Sequence, residues 1–216
     1  MFISHKHIDY RKKQEKLGMA MHNGAYYYSK EIVDNIAPRI NTTRNWVTIN
    51  VSGYACDHAI VFIHNNVRPQ LYEWLSLYKD LVLVCGVPET CGRIKHLGKT
   101  IYLPLSVDVE YVEQFKTEKT KEAAFVGRQP KRIGHDFPPG TDFIEKMPRE
   151  ELLTEMAKYR KVYAVGRTAI EGKVLGCEIL PYDERFPDPE FWKILDNKEA
   201  ADILQKKLDE IDGRKR

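Results

Sequence analysis

Short apolar runs alternate with helix-like segments along most of the chain. In the helix-like segments apolar residues recur at helical spacing, and glycine or proline marks many of the ends. Strand-like runs occupy 46–51, 59–64, 81–85, 100–103, 123–126, 162–165 and 177–180. Helix-like segments occupy 28–36, 71–78, 89–97, 109–115, 148–158, 168–176 and 195–213. This alternation predicts an α/β protein whose strands form parallel, doubly wound sheets.

The alternation is interrupted once, after residue 103. Pro104–Asp108 is followed by a short polar helix and by the charged run KTEKTKE at 116–122. Composition therefore shifts from apolar to charged and back, which is typical of a domain boundary. We predict two domains, 1–107 and 108–216, with an amphipathic helix ending at Gly213 as the last element of the second.

Composition excludes several classes of protein. At 216 residues, with 43% apolar and 30% charged residues, the chain has the size and make-up of one large or two small soluble domains. A net charge of +3 is too small to indicate nucleic-acid binding without a clustered basic patch. No run approaches the roughly 18 apolar residues of a membrane span, and the first residues lack an apolar signal core.

The four cysteines do not have the spacing of a metal site. Cys85 and Cys91 are six residues apart, and Cys56 and Cys177 lie far from them. We therefore expect reduced thiols, no metal and a cytoplasmic location.

The segment Lys161–Asp183 contains the clearest candidate site. It divides into an apolar run, the turn Gly166–Thr168, a helix of small residues and a second apolar run. This pattern predicts a compact βαβ unit, and ligands of open parallel sheets bind at the carboxyl ends of the strands. Gly166, Arg167 and Thr168 are expected at that end, with Glu171 on the first turn of the helix.

A second strand, 123–126, also ends in glycine and arginine. Arg128, Lys131 and Arg132 follow Gly127 and would place up to three cations at the carboxyl end of that strand. Guanidinium groups pair with phosphates through two parallel hydrogen bonds, so such a cluster suits a diphosphate. The helix that begins near Thr168 would add its positive end. The alternative is that these cations are solvated surface residues.

Glu171 has two interpretations from the sequence alone. Its carboxylate can accept hydrogen bonds from two hydroxyl groups, as is needed to hold a ribose. The alternative is a carboxylate at a helix start, where the helix dipole favours negative charge.

The first half offers weaker candidates for a site. Gly24 precedes a helix whose free N–H groups would suit an anion, although every helix start has such groups. His22 and His58, the latter beside Asp57, are candidate bases because imidazole titrates near neutrality; the alternative is ordinary polar loop residues. Tyr26–Tyr28 would stack on a sugar or pack in a core.

The two glycine–arginine segments together resemble the C-terminal domain of GT-B glycosyltransferases. In that family a strand ends in glycine and arginine followed by a lysine, matched here by Gly127, Arg128 and Lys131, with Arg132 as a substitute. Further on, a helix of the form E-A-x-x-x-G is matched by Glu171–Gly176, with glycine in place of alanine. The segment 102–108 also resembles the connection between the two domains of these enzymes.

The resemblance implies two Rossmann-like domains, a cleft between them and a nucleotide-sugar donor such as a UDP-sugar. The second domain would bind the donor diphosphate and ribose without a metal, the first would bind an acceptor, and His22 would be the base. The family's ligand-binding positions are matched by Gly127, Arg128, Lys131, Arg132 and Glu171. Gly24, Gly166, Arg167 and Thr168 complete the predicted ligand-binding set from their places at a helix start and a strand end.

Two features depart from the family pattern. Retaining members carry a second glutamate eight residues before the ribose-binding one, and Tyr163 occupies that position here. The domains are also smaller than is typical. Two alternatives to this leading interpretation stay open: a binding protein that keeps the nucleotide site without transfer, and a glycosyltransferase that acts on nucleic acid.

Overall fold

A computed structural model describes residues 2–3, 24–48, 58–63, 73, 75–76, 78–128 and 132–213. The strands, in chain order, are β1 Phe2–Ile3, β2 Asn45–Thr48, β3 His58–Ile63, β4 Asp80–Cys85, β5 Lys99–Tyr102, β6 Lys121–Val126, β7 Asp142–Ile144, β8 Tyr159–Tyr163 and β9 Glu178–Leu180. The α-helices are α1 Gly24–Glu31, α2 Pro88–Ile94, α3 Val109–Glu113, α4 Arg149–Met156, α5 Arg167–Val174 and α6 Asn197–Asp212. The predicted α/β class with parallel sheets is confirmed.

The chain forms two compact units. The first contains Met1–Lys12, Ser29–Leu105 and Asn197–Arg216, and the second contains Lys13–Tyr28 and Ser106–Asp196. The division after Leu105 lies close to the predicted boundary at 107. Two segments are assigned differently from our prediction, because α6 groups with the first unit and residues 13–28 group with the second.

The first unit is built on a parallel sheet of five strands, ordered β1-β2-β3-β4-β5 as in the chain. Its core contains apolar side chains from β2, β3 and β4 together with Leu75 and Ile94. Each described strand lies next to the one before it in the chain, and the order always proceeds towards the same side of the sheet. This order lacks the reversal that defines a doubly wound sheet. The doubly wound order that we predicted for both halves therefore does not apply to this sheet.

Hydrogen bonds explain why α6 belongs to the first unit. The buried Arg44 binds Asp212 of α6 at 2.6 Å and Asp80 of β4 at 2.8 Å. Near the other end of the helix, Asn197 donates to Glu31 at 2.9 Å. These contacts hold α6 against a sheet whose strands are far from it in the sequence. Sequence spacing alone does not reveal such a contact.

The second unit has a parallel sheet of four strands in the order β7-β6-β8-β9. The chain moves from β6 to β7 on one side and then crosses to β8 on the other, so the direction of winding reverses. Right-handed connections then place the β6–β7 connection on one face of the sheet and α4 on the opposite face.

The register of the sheet identifies the two faces. Phe125 pairs with both Phe143 and Tyr163, so these three aromatic side chains share one face. Ile179 belongs to the opposite face, and a Cβ added to Gly172 of α5 would lie 2.7 Å from its Cδ1 atom. Helix α5 is therefore packed directly on the face that carries Ile179, opposite the aromatic face.

Some predicted elements are displaced or were missed. Strand β7 is not among the predicted strands, because three residues between Gly140 and Pro148 give too short a pattern. Strand β8 begins three residues earlier than predicted, at Tyr159. The helix predicted for 71–78 lies largely outside the described residues. None of the helices in the described ranges is long and apolar enough to cross a membrane.

One lysine of the charged run joins the ends of two helices in the second unit. Lys119 Nζ donates to Ala157 O and Leu175 O, each at 2.8 Å, at the carboxyl ends of α4 and α5. A third contact, at 3.1 Å, reaches the Cys177 sulfur. A cation at the carboxyl end of a helix binds carbonyl groups that have no partner within the helix.

We expect Lys119→Met to lower the free energy of unfolding by about 1–3 kcal/mol, because carbonyl groups at two helix ends lose a charged donor. Urea denaturation followed by circular dichroism measures this change. The matched control is Lys116→Met, which removes only an exposed ion pair with Glu113 and should change stability much less. Equal losses in the two variants would contradict the capping role of Lys119.

Candidate functional site

The candidate site lies at the carboxyl edge of the second sheet, between β6 and β8. The chain leaves β6 through Gly127 and leaves β8 through Ala164 and Val165 to Gly166. Because the two connections depart to opposite faces, a crevice opens between them at this edge. Both glycine–arginine segments of the sequence therefore reach the one position in the described sheets where the winding direction reverses.

The two glycines have different structural roles. Gly166 precedes α5 with φ +66° and ψ −139°, a conformation that favours glycine because side chains carrying a Cβ rarely adopt it. At Gly127 a Cβ would lie 2.8 Å from Cζ of Phe125, so the absence of a side chain leaves room for that ring. Substitution at either position would alter the local course of the chain beside the crevice.

Arg128 is the accessible cation of the site. It is exposed and makes no hydrogen bond or ion pair with any residue that the structure describes. Lys131, predicted beside it, lies outside the described residues. Arg132 is engaged elsewhere, since its Nε donates to Glu145 at 3.0 Å and its guanidinium lies 4.4 Å from the centre of the Phe143 ring.

Arg167 and Glu171 are buried rather than exposed at the crevice. Glu171 is fully buried, and its Oε1 accepts hydrogen bonds from Arg167 Nε at 2.9 Å and Arg149 Nη1 at 2.8 Å. Arg149 and Arg167 are each only 5% exposed. The carboxylate therefore holds two guanidinium groups, one on α4 and one on the first turn of α5. Its predicted contact with a ribose stays a prediction.

Aromatic rings complete the surroundings of Arg149. Its guanidinium lies 4.6 Å from the centre of the Tyr27 ring and 5.6 Å from that of Tyr111. Such stacking favours the charged group in a site from which water is excluded. Sequence analysis missed Arg149, because an arginine on the first turn of a helix is usually a surface residue. The only available signal was its position after Pro148 at a predicted helix start.

An aromatic cluster covers the other face of the sheet next to the crevice. Phe137, from the β6–β7 connection, lies 5.3 Å from Phe125, 5.2 Å from Tyr163 and 6.1 Å from Tyr182 between ring centres. Phe143 contacts the same ring at 5.8 Å. The described part of this connection that carries Phe137 therefore packs on the aromatic face of the sheet.

Three other predicted site residues lie near the start of the chain or of a helix. His22 lies outside the described residues. Gly24, predicted to precede a helix, is the first residue of α1, and a ligand role for this glycine stays a prediction. Thr168 is half-buried as the second residue of α5, where helix N–H groups have no partner within the helix.

The alternative base, His58, lies far from any strand's carboxyl end within its own sheet. It begins β3, and its Nδ1 contacts Asp80 Oδ2 at 3.0 Å. Asp57, its expected partner, lies outside the described residues. Because ligands of parallel sheets bind at the opposite edge, the geometry gives His58 no support as a base. Tyr27 and Tyr28 are each 4% exposed, so these two rings are packing residues and are not positioned to stack on a sugar.

The thiols of Cys85, Cys91 and Cys177 are free. Burial raises the pKa of each thiol, so all three are neutral at physiological pH. Over the described ranges, no three side chains of histidine, cysteine, aspartate or glutamate come together as a metal-binding group.

We expect Glu171→Gln to destabilise the protein by about 3–5 kcal/mol, because two buried guanidinium groups would lose their counter-charge. Thermal and urea unfolding would measure the loss. Glu178→Gln, on the exposed side of β9, is the matched control and should leave stability nearly unchanged. A Glu171→Gln protein as stable as the control would contradict the role of Glu171 as the counter-charge of Arg149 and Arg167.

Comparisons with known proteins do not identify a family for this chain. A scan against protein-family models gave no match, and a search of curated proteins gave none either.

Proposed function

We propose that the second unit binds the diphosphate of a nucleotide sugar and that the chain is a glycosyltransferase of the GT-B kind. The supporting observation is that the two glycine–arginine segments and the reversal of strand order occur at the same place, the carboxyl edge between β6 and β8. Both glycine–arginine segments lie there, and strand order makes that edge the crevice of the sheet. The spacing and the composition of the two segments did not require that they lie at this reversal of strand order.

Arg128 is assigned to the diphosphate. Its guanidinium is exposed and not engaged by the described residues, so it is available for two parallel hydrogen bonds to phosphate oxygens. The first N–H groups of α5, at Arg167 and Thr168, would add the positive end of the helix dipole. When the bond to the sugar breaks, negative charge builds up on the diphosphate. The same cation then stabilises the transition state as well as the bound donor.

Arg149 and Glu171 are assigned a supporting role in this proposal. Their buried contact fixes the start of α5 against α4, which keeps the N–H groups of α5 directed to the crevice. A preformed arrangement of donors reduces the reorganisation that phosphate binding would otherwise require. Direct contact between Glu171 and the ribose would add to this role but is not needed for it.

A second candidate function is nucleotide-sugar binding without transfer. The observation that favours it is the surroundings of Tyr163, which stands where retaining glycosyltransferases carry a glutamate. Its ring is packed at 5.2 Å against Phe137, within the aromatic cluster. A phenol in that position supplies no carboxylate to the reacting centre.

We expect Arg128→Ala to weaken the binding of UDP-glucose or GDP-mannose about 10- to 100-fold, because a charged hydrogen bond to phosphate is lost. Isothermal titration calorimetry measures the affinity. Arg160→Ala is the matched control: Arg160 is an exposed arginine near the amino end of β8, at the opposite edge of the same sheet. Unchanged binding in Arg128→Ala would contradict the proposed site.

Release of nucleoside diphosphate separates the two candidate functions. Long incubation of the wild-type protein with each nucleotide sugar, with and without a panel of acceptors, is analysed by chromatography. Release that is lost in Arg128→Ala supports the transferase. Tight binding without release supports the binding protein.

A further inference from the structure

Three consecutive residues, at and just after the end of β7, hold the segment that follows β6. The backbone N–H of Gly127 donates to Ile144 O at 3.2 Å. Arg132 Nε donates to Glu145 Oε1 at 3.0 Å. The Arg132 guanidinium also lies 4.4 Å from the centre of the Phe143 ring. The segment from Gly127 to Arg132 is therefore attached at both of its ends to the carboxyl end of β7.

Arg128 lies directly after the first of these attachments. Its side chain is exposed, whereas the Arg132 side chain is 31% exposed and that of Glu145 is 16% exposed. A short segment that is held at both ends has fewer conformations than one held at a single end, so ligand binding has less conformational entropy to remove. The contacts of Arg132 therefore restrict where Arg128 can lie.

The ion pair with Glu145 gives Arg132 a role different from that of Arg128. A carboxylate in contact with a guanidinium offsets the charge that a phosphate would sense. If Arg132 bound a diphosphate, it would either give up Glu145 or bring that carboxylate close to the phosphates. Both arginines were predicted from the sequence to bind a diphosphate, and the contacts favour Arg128 alone for that role.

Two kinds of contact distinguish Arg132 from an ordinary surface ion pair. Its partner Glu145 is largely buried, and the Phe143 ring contacts its guanidinium, which strengthens a charged interaction that water would otherwise weaken. The pair between Glu122 and Lys161 lies at the amino end of the same sheet and has no such support. There the side chains are 64% and 41% exposed.

We propose that Arg132 is a positioning residue of the diphosphate site, bound to Glu145 so that Arg128 is held at the carboxyl end of β6. This inference rests on the function proposed above. Arg132 does not contact the phosphates in this arrangement, and it reduces the ordering of Arg128 that ligand binding would otherwise require. Glu145, which the sequence did not indicate, belongs to the site through Arg132.

Glu145→Ala tests the ion pair, with UDP-glucose as the ligand and isothermal titration calorimetry as the measurement. We expect affinity to fall about three- to tenfold, the effect of roughly one hydrogen bond. The direction is informative, because loss of a carboxylate would strengthen binding if Arg132 were itself a phosphate ligand. Glu145→Gln keeps an acceptor for Arg132 Nε and should recover most of the wild-type affinity.

A double-mutant cycle shows whether the effect acts through Arg128. Adding Glu145→Ala to Arg128→Ala should cause no further loss, because no guanidinium is left to position. The matched control is Glu122→Ala, which removes only the exposed pair and should bind as the wild type does. Unchanged or tighter binding in Glu145→Ala, or an equal loss in the Arg128→Ala background, overturns this inference while leaving Arg128-dependent binding intact.

Trypsin gives a readout that needs no ligand. Loss of the attachment should speed cleavage after Arg128 at least about threefold in Glu145→Ala, but not in Glu122→Ala. Mass spectrometry identifies the cleaved bond, and unchanged cleavage overturns this inference. Arg132→Met removes the same contact from its other side and gives the same expected results should Glu145→Ala fail to fold. No wild-type binding of UDP-glucose or GDP-mannose overturns the proposed function as well, whatever the cleavage rate.

Discussion

The reversal of strand order between β6 and β8 is the constraint on which the second unit depends. Because β7 and β8 lie on opposite sides of β6, their right-handed connections cover opposite faces of the sheet. One face receives α4 and α5, and the other receives the aromatic side chains of the β6–β7 connection. The crevice at the carboxyl edge follows from this arrangement, as do the positions of Arg128 and Gly166 beside it.

Packing α4 and α5 on one face brings charged residues together inside the unit. Arg149 and Arg167 occupy the first positions of the two helices, and both bind the carboxylate of Glu171. Lys119 binds carbonyl groups at the other ends of the same helices. The pair of helices is therefore fixed at both ends by charged hydrogen bonds, which makes the start of α5 a rigid support for a ligand. A buried charge network is costly to form, and it favours one specific arrangement over alternatives.

Sequence pattern predicted the elements that have strong local signals. Runs such as LVLVC, and the amphipathic helix that ends at Gly213, define their own structure and were assigned nearly to the residue. Strand β7 was missed because three residues carry too little periodicity. The strand order of either sheet, and the return of α6 to the first unit through Arg44, depend on contacts between residues far apart in sequence. The position of the two glycine–arginine segments at strand ends was predictable from the sequence, whereas the buried partners of Glu171 were not.

The two segments show how far a short motif can be interpreted. Val126–Gly127–Arg128 and Val165–Gly166–Arg167 have the same three residues at the ends of neighbouring strands, and both arginines were expected to face a ligand. Arg167 begins a helix, so the residue four positions later, Glu171, lies on the same side and draws the guanidinium inward. The residue four positions after Arg128 is Arg132, so the sequence places no carboxylate at that spacing. The residues that follow the motif, rather than the motif itself, therefore decide that Arg128 is exposed and that Arg167 is buried against Glu171.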